Sequence, residues 1–301
     1  SMKIKKNFCC TLLIIVLILC FGIGYAYLSS ELNFTLSTAS ISPYVRLCKR
    51  ATTLHSETCT SSSITGYCYA GGTSITYGQI GSSGTLTSGD AFDCDVNGDG
   101  TYDPATERFY YVTDLNSTTA ILVFYTTTSS DGKRSVGVRP PYDSSGINYN
   151  GLVTAASVLP TKTAWPKATL YNNPAQIYNF DGGTTVAYSG THTLPKYKYT
   201  TAARLLTYQE FLKLPSTIFW EDFGGSSGRY FPSCLWLNTP YANSPKVYVI
   251  YAPYKLNIGV YPSIPTNSCG VRPVIEVKKR GYALLEIKYW SYYERRNKKL
   301  L

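Results

Sequence analysis

The sequence predicts an α+β domain with small antiparallel sheets, one or two helices and long loops. Three observations carry this. Tyrosine is abundant, at 28 residues against a single Met, among many Gly, Ser and Thr, a mixture that suits strands joined by turns. Two β-favouring runs, Arg108–Thr113 and Thr119–Tyr125, flank the turn residues Asp114, Leu115, Asn116 and Ser117 and spell a hairpin. One stretch, Thr201–Leu214, carries Ala202, Leu205, Leu206, Gln209 and Leu212 near one helical face and stops before Pro215.

The elements follow in chain order. Lys3, Lys5 and Lys6 precede an uncharged segment, Phe8–Tyr27, long enough to cross a ~30 Å hydrocarbon core as a helix. The positive flank stays cytoplasmic, so everything after the segment is exported. Its length favours a membrane anchor, and the small-x-small triplet Gly24-Tyr25-Ala26 favours cleavage as a signal peptide. Residues 1–27 are therefore read as signal peptide or anchor, and residues 28–65 as a Ser/Thr-rich spacer. The folded domain is expected over residues 66–279. Within it, residues 70–90 read as turns between short strands, and Asn150–Leu159 as a short helix ended by Pro160. Gly224–Gly228 reads as a loop, because no Lys-Ser/Thr follows to make a phosphate cradle. Residues 280–301 read as a basic, aromatic tail.

The net charge of +10 is concentrated at the two ends. Without them, 19 basic and 16 acidic residues leave a body of +3. That argues against a nucleic-acid partner, since phosphate backbones are met by dense basic surfaces. Two His and no C-x-x-C argue against zinc. No G-x-S-x-G elbow supports a hydrolase, and Glu221-Asp222 reads as a solvated pair. Cys48, Cys59, Cys68, Cys94, Cys234 and Cys269 follow the export segment, an even number that suggests disulfides. Their pairing stays open at this point.

Asp95, Asn97, Asp99, Thr101 and Asp103 put an oxygen side chain at every second position, with Gly100 at the sixth. A loop that wraps Ca²⁺ needs this, because the ion takes 6–8 hard oxygen ligands and Gly permits the sharp turn. The run resembles the start of EF-hand loops. It departs at the twelfth position, where Thr106 stands and Glu107 comes one residue late. A Gly-containing turn into the hairpin is the competing reading.

The last third holds Cys234-Leu-Trp-Leu-Asn-Thr-Pro240, an interval rich in Tyr, Asn and Ser, and then Cys269-Gly-Val-Arg-Pro-Val-Ile-Glu-Val277. Tyr supplies rigid contact area with a polar tip, and Asn and Ser supply adaptable hydrogen bonds, as in antibody paratopes. The two blocks resemble the C-terminal end of C-type-lectin-like domains of the formylglycine-generating-enzyme type. More narrowly, they are similar to surface proteins of Gram-positive gut bacteria. In several relatives of this fold, the interval matching residues 235–272 is the variable region of a diversity-generating retroelement. The resemblance covers residues 66–279 and implies a C-type-lectin-like domain with a disulfide between Cys234 and Cys269.

It also implies a cell-surface adhesin or receptor-like protein, binding an extracellular protein, peptide or glycan. The expected contact residues are Asn238, Tyr241, Asn243, Tyr248, Tyr251, Tyr254, Asn257 and Tyr261. Strand alternation separates Lys246, Tyr248 and Ile250 from Val247, Val249 and Tyr251, so only one of these sets can face a ligand. Arg272 is expected in the framework. Formylglycine-generating enzymes would resemble this chain only with a close cysteine pair near the C-terminus, and Cys234 and Cys269 lie far apart in sequence. A non-enzymatic binding protein is therefore expected, and the alternatives are a structural or fibre-forming subunit and, behind it, an oxidoreductase of the formylglycine-generating type whose cysteines meet in space.

Overall fold

The structure, a computed structural model, describes residues 47–58, 74–82, 85–135, 137–172, 175–215, 218, 234–251 and 259–279. The N-terminal segment 1–27, the spacer as far as residue 46, Cys59, Cys68, Gly224–Gly228 and the tail 280–301 lie outside these residues. The described chain runs through β1 (Cys48–Arg50), β2 (Ser56–Thr58), β3 (Ser74–Thr76), β4 (Ala91–Cys94), β5 (Arg108–Asn116) and β6 (Thr119–Phe124). Four two-residue strands follow: β7 (Ala175–Gln176), β8 (Thr185–Val186), β9 (His192–Thr193) and β10 (Lys196–Tyr197). A single turn of helix, α1 (Tyr208–Phe211), precedes β11 (Cys234–Pro240), β12 (Val247–Tyr251), β13 (Gly259–Ser263) and β14 (Val274–Lys278). The architecture is mostly sheet, in small antiparallel pieces, with very little helix.

The hairpin β5–β6 lies inside a five-stranded sheet of order β1-β4-β5-β6-β14. Every residue of β6 is buried. A continuous run such as Ala-Ile-Leu-Val-Phe, rather than strict alternation, is what a strand covered on both faces requires. Phe109, Phe124 and Trp165 pack tilted or edge to face against one another, with ring centroids 5.0 to 5.7 Å apart. The outer edge of β14 is covered by the main chain of Arg204. Its amide donates to the Val274 carbonyl at 3.0 Å and its carbonyl accepts from the Val274 amide at 2.8 Å. With a second bridge from Thr169 to Glu276, part of this edge is shielded from pairing with another strand.

The Arg204 pairing corrects the expected helix over Thr201–Leu214. Residues 201–207 are not helical, with Arg204 in an isolated bridge to Val274, and only Tyr208–Phe211 is α-helical. Ala202, Ala203, Arg204, Leu205 and Leu206 are all buried, which one helical face cannot achieve over consecutive positions. Thr207 sets the start by a capping box: its hydroxyl accepts from the Glu210 amide at 3.2 Å, and the Glu210 carboxylate accepts from the Thr207 amide at 2.9 Å. The helix expected over Asn150–Leu159 contracts to a 3-10 turn, Ala155–Val158.

Cys48 lies opposite Cys94 in the β1–β4 register and is disulfide-bonded to it, so residues 48–50 belong to the main sheet. The second sheet has order β11-β12-β13, with a bulge in β11 between Trp236 and Pro240. Its β11 edge meets Gly270 in a parallel bridge, and there Cys234 and Cys269 are joined with their sulfurs 2.01 Å apart. Two disulfides fit an oxidising, extracytoplasmic environment. Among the described residues, no helix is long and apolar enough to cross a membrane.

Candidate functional site

The second sheet carries an aromatic cluster built from three segments. The Tyr248 ring lies 5.2 Å from Tyr241, 5.1 Å from Tyr208 and 5.4 Å from Phe180, and Phe180 lies 4.6 Å from Tyr208. Tyr248 is 9% exposed and forms the floor, whereas Phe180 is 37% exposed and forms the rim. Burial pushes the Tyr248 hydroxyl up to about 12, and the neighbouring Tyr241, Tyr208 and Asp181 add to this. Tyr248 therefore stays neutral, and its hydroxyl is hydrogen-bonded to Tyr241.

Each segment is held in place by a polar side chain. Asn179 folds the turn that presents Phe180: its Oδ1 accepts from the amides of Asp181 at 3.1 Å and Gly183 at 2.8 Å, and its Nδ2 donates to the Thr185 carbonyl at 2.8 Å. Asn148 clamps the β11–β12 connection, its Nδ2 facing the carbonyls of Tyr241, Ser244 and Lys246 at 3.1, 2.8 and 2.9 Å. The Tyr208 amide donates to Thr239 Oγ1 at 3.0 Å, tying the start of α1 to β11.

The expected contact residues separate. Tyr241 and Tyr248 come together in the cluster, and Asn243 is exposed in the connection beside it. Tyr251 is half-buried and pairs with Cys234, on the strand face of Val247 and Val249 rather than that of Tyr248. Asn238 is buried. It is 3% exposed, its Nδ2 donates to the Tyr199 hydroxyl at 3.2 Å and its amide donates to the Leu206 carbonyl at 2.8 Å. These bonds put it in the framework. Tyr261 pairs with Val249 in the β12–β13 register, while Tyr254 and Asn257 lie outside the described residues. Arg272 is buried and donates from Nε to the Phe124 carbonyl, a framework role. Phe180 and Tyr208 were missed because nothing local in the sequence links them to Tyr248.

On another part of the molecule, the loop from Asp95 to Glu107 joins β4 to β5. Gly98 and Gly100 have φ of +79° and +84°, the left-handed region that favours glycine. Asp95 Oδ2 accepts from the Gly100 amide at 3.2 Å, Asn97 Oδ1 from the Asp99 amide at 2.9 Å, and Asp99 Oδ1 from the Thr101 amide at 2.7 Å. Asp103 Oδ1 accepts from the Ala105 amide at 2.9 Å, and Glu107 Oε2 from the Asp103 amide at 3.1 Å. Burial raises the Glu107 carboxyl to about 7; the Asp103 and Asn97 amides oppose this, and the charges of Asp99 and Asp95 add to it. Among the described residues, no three His, Cys, Asp or Glu side chains already converge as a metal-binding group.

No family model, curated protein or solved structure matches the chain.

Proposed function

We propose that the chain is an extracytoplasmic, cell-surface ligand-binding protein of C-type-lectin-like architecture, and that its binding face is the cluster of Phe180, Tyr208, Tyr241 and Tyr248 with Asn243 at the margin. The observation that carries this is the convergence of four aromatic rings from three segments around a partly exposed rim. Rigid rings with polar tips give contact area at low entropic cost, and a nearby Asn adds a hydrogen-bonding group. The partner is an extracellular protein, peptide or glycan, and the segment 8–27 tethers the protein to the membrane where it is retained.

The test uses a glycan array and a displayed peptide library as probes, with the parent chain and with Phe180→Ala and Tyr208→Ala. Hits of the parent that weaken at least about tenfold in variants of unchanged fold support the reading. Hits that both variants retain would place binding elsewhere. If the substitutions instead abolish self-association of the chain, the face is a subunit interface and the protein is a structural one.

A further inference from the structure

We propose that the loop from Asp95 to Glu107 is a calcium site closed by Glu107, one residue beyond the usual position of the closing carboxylate. This stands apart from the ligand-binding reading and would hold if that reading failed.

The spaced oxygens of Asp95, Asn97, Asp99, Thr101 and Asp103 suit a hard cation but do not by themselves make a site. The second observation is Glu107. Its side chain is 3% exposed, and its Oε1 is buried with no hydrogen-bond partner. Its other oxygen is held toward the loop by the Asp103 amide at 3.1 Å. Asp95 presents a second buried oxygen, Oδ1, that also lacks a partner.

Charge points the same way. Ion pairs among the described residues neutralise Asp90, Asp93, Asp114, Glu210 and Glu276, and none reaches Asp95, Asp99, Asp103 or Glu107. Interior carboxylate oxygens without a cation or a donor are costly, and a divalent ion satisfies several at once. Calcium suits this set better than magnesium, because it accepts 6–8 oxygens in irregular geometry and loses its water readily. The carboxylates do not converge in advance, so binding draws Asp95, Asp99 and Glu107 together around the ion. A site that needs this rearrangement belongs to the weak, extracellular class, with Kd about 10⁻⁴–10⁻³ M. The ion would brace the connection between β4, whose Cys94 is bonded to Cys48, and the central strand β5.

The experiment takes the full chain after chelator treatment and titrates calcium chloride to about 5 mM, following thermal unfolding and heat of binding. The midpoint should rise with calcium, and magnesium at equal concentration should raise it less. Glu107→Gln keeps the shape of the side chain, so it should fold without the ion and bind calcium at least about tenfold more weakly. Asp99→Asn, at an exposed position, should weaken binding similarly and serves if Glu107→Gln is not recovered folded. No heat and no shift in the parent would overturn the site. Unchanged affinity in Glu107→Gln would overturn the role of Glu107.

Discussion

Arg204 donates from Nε to Glu276 Oε1 at 3.1 Å inside the protein. Its two terminal nitrogens reach the Glu210 carboxylate at 2.9 and 2.7 Å, so one guanidinium serves two carboxylates. Glu276 also accepts from the amides of Tyr171 and Asn172. One buried cation thus fastens the non-helical segment around Arg204, the start of α1 and the last strand of the main sheet. Arg204→Ala leaves two buried carboxylates without their cation and should cost about 3–5 kcal/mol in urea unfolding. Arg204→Lys should recover little, because an ammonium lacks the planar fork that spans both acids.

Acid should weaken the same junction. Burial alone would raise the Glu210 carboxyl, but the Arg204 charge and hydrogen bonds, with those from Thr207, outweigh it and hold Glu210 below its ordinary 4.5. A depressed folded value means that the unfolded chain binds more protons in this window. The contribution is complete above 4.5 and is lost as pH falls through that value toward the lower folded one. Urea midpoints measured from pH 6 down to about pH 3 should fall in the parent chain, and less so in Glu210→Gln.

The Cys234–Cys269 bond closes a loop of 35 residues that contains β11, β12 and β13. Loop-closure entropy predicts a loss of about 3–4 kcal/mol when both are changed to Ser. Calorimetry on the double variant and on the parent checks this. An unchanged unfolding temperature would mean that the Gly270 bridge holds the edge unaided.

Asn148→Ala should loosen the aromatic face without touching a ring. The substitution removes the donor shared by the carbonyls of Tyr241, Ser244 and Lys246 and is expected to cost about 1–3 kcal/mol. Amide hydrogen exchange should speed up in residues 241–246 while β5 and β6 stay protected.

Local pattern alone was enough to determine the β5–β6 hairpin, because a β-rich run, a turn and a second β-rich run need no distant partner. It also marked the loop at Asp95–Asp103, where Gly and oxygen side chains alternate in a fixed spacing, and the body's near-neutral charge. Tertiary structure alone decided the rest. The periodicity of Thr201–Leu214 suits a helix, yet Arg204 finds Glu276 and Val274 on a strand far along the chain, and that pairing keeps the segment around Arg204 out of a helix. Which tyrosines share a face was settled the same way. Alternation separates Tyr248 from Tyr251, but only packing brings Phe180 and Tyr208 to Tyr248 and seals Asn238 against Tyr199. Glu107 stands outside the spacing of its loop, and only burial reveals its unpartnered oxygen. Short-range preferences act through a few neighbouring dihedrals, whereas the partners of a buried charge or ring are chosen by the fold as a whole.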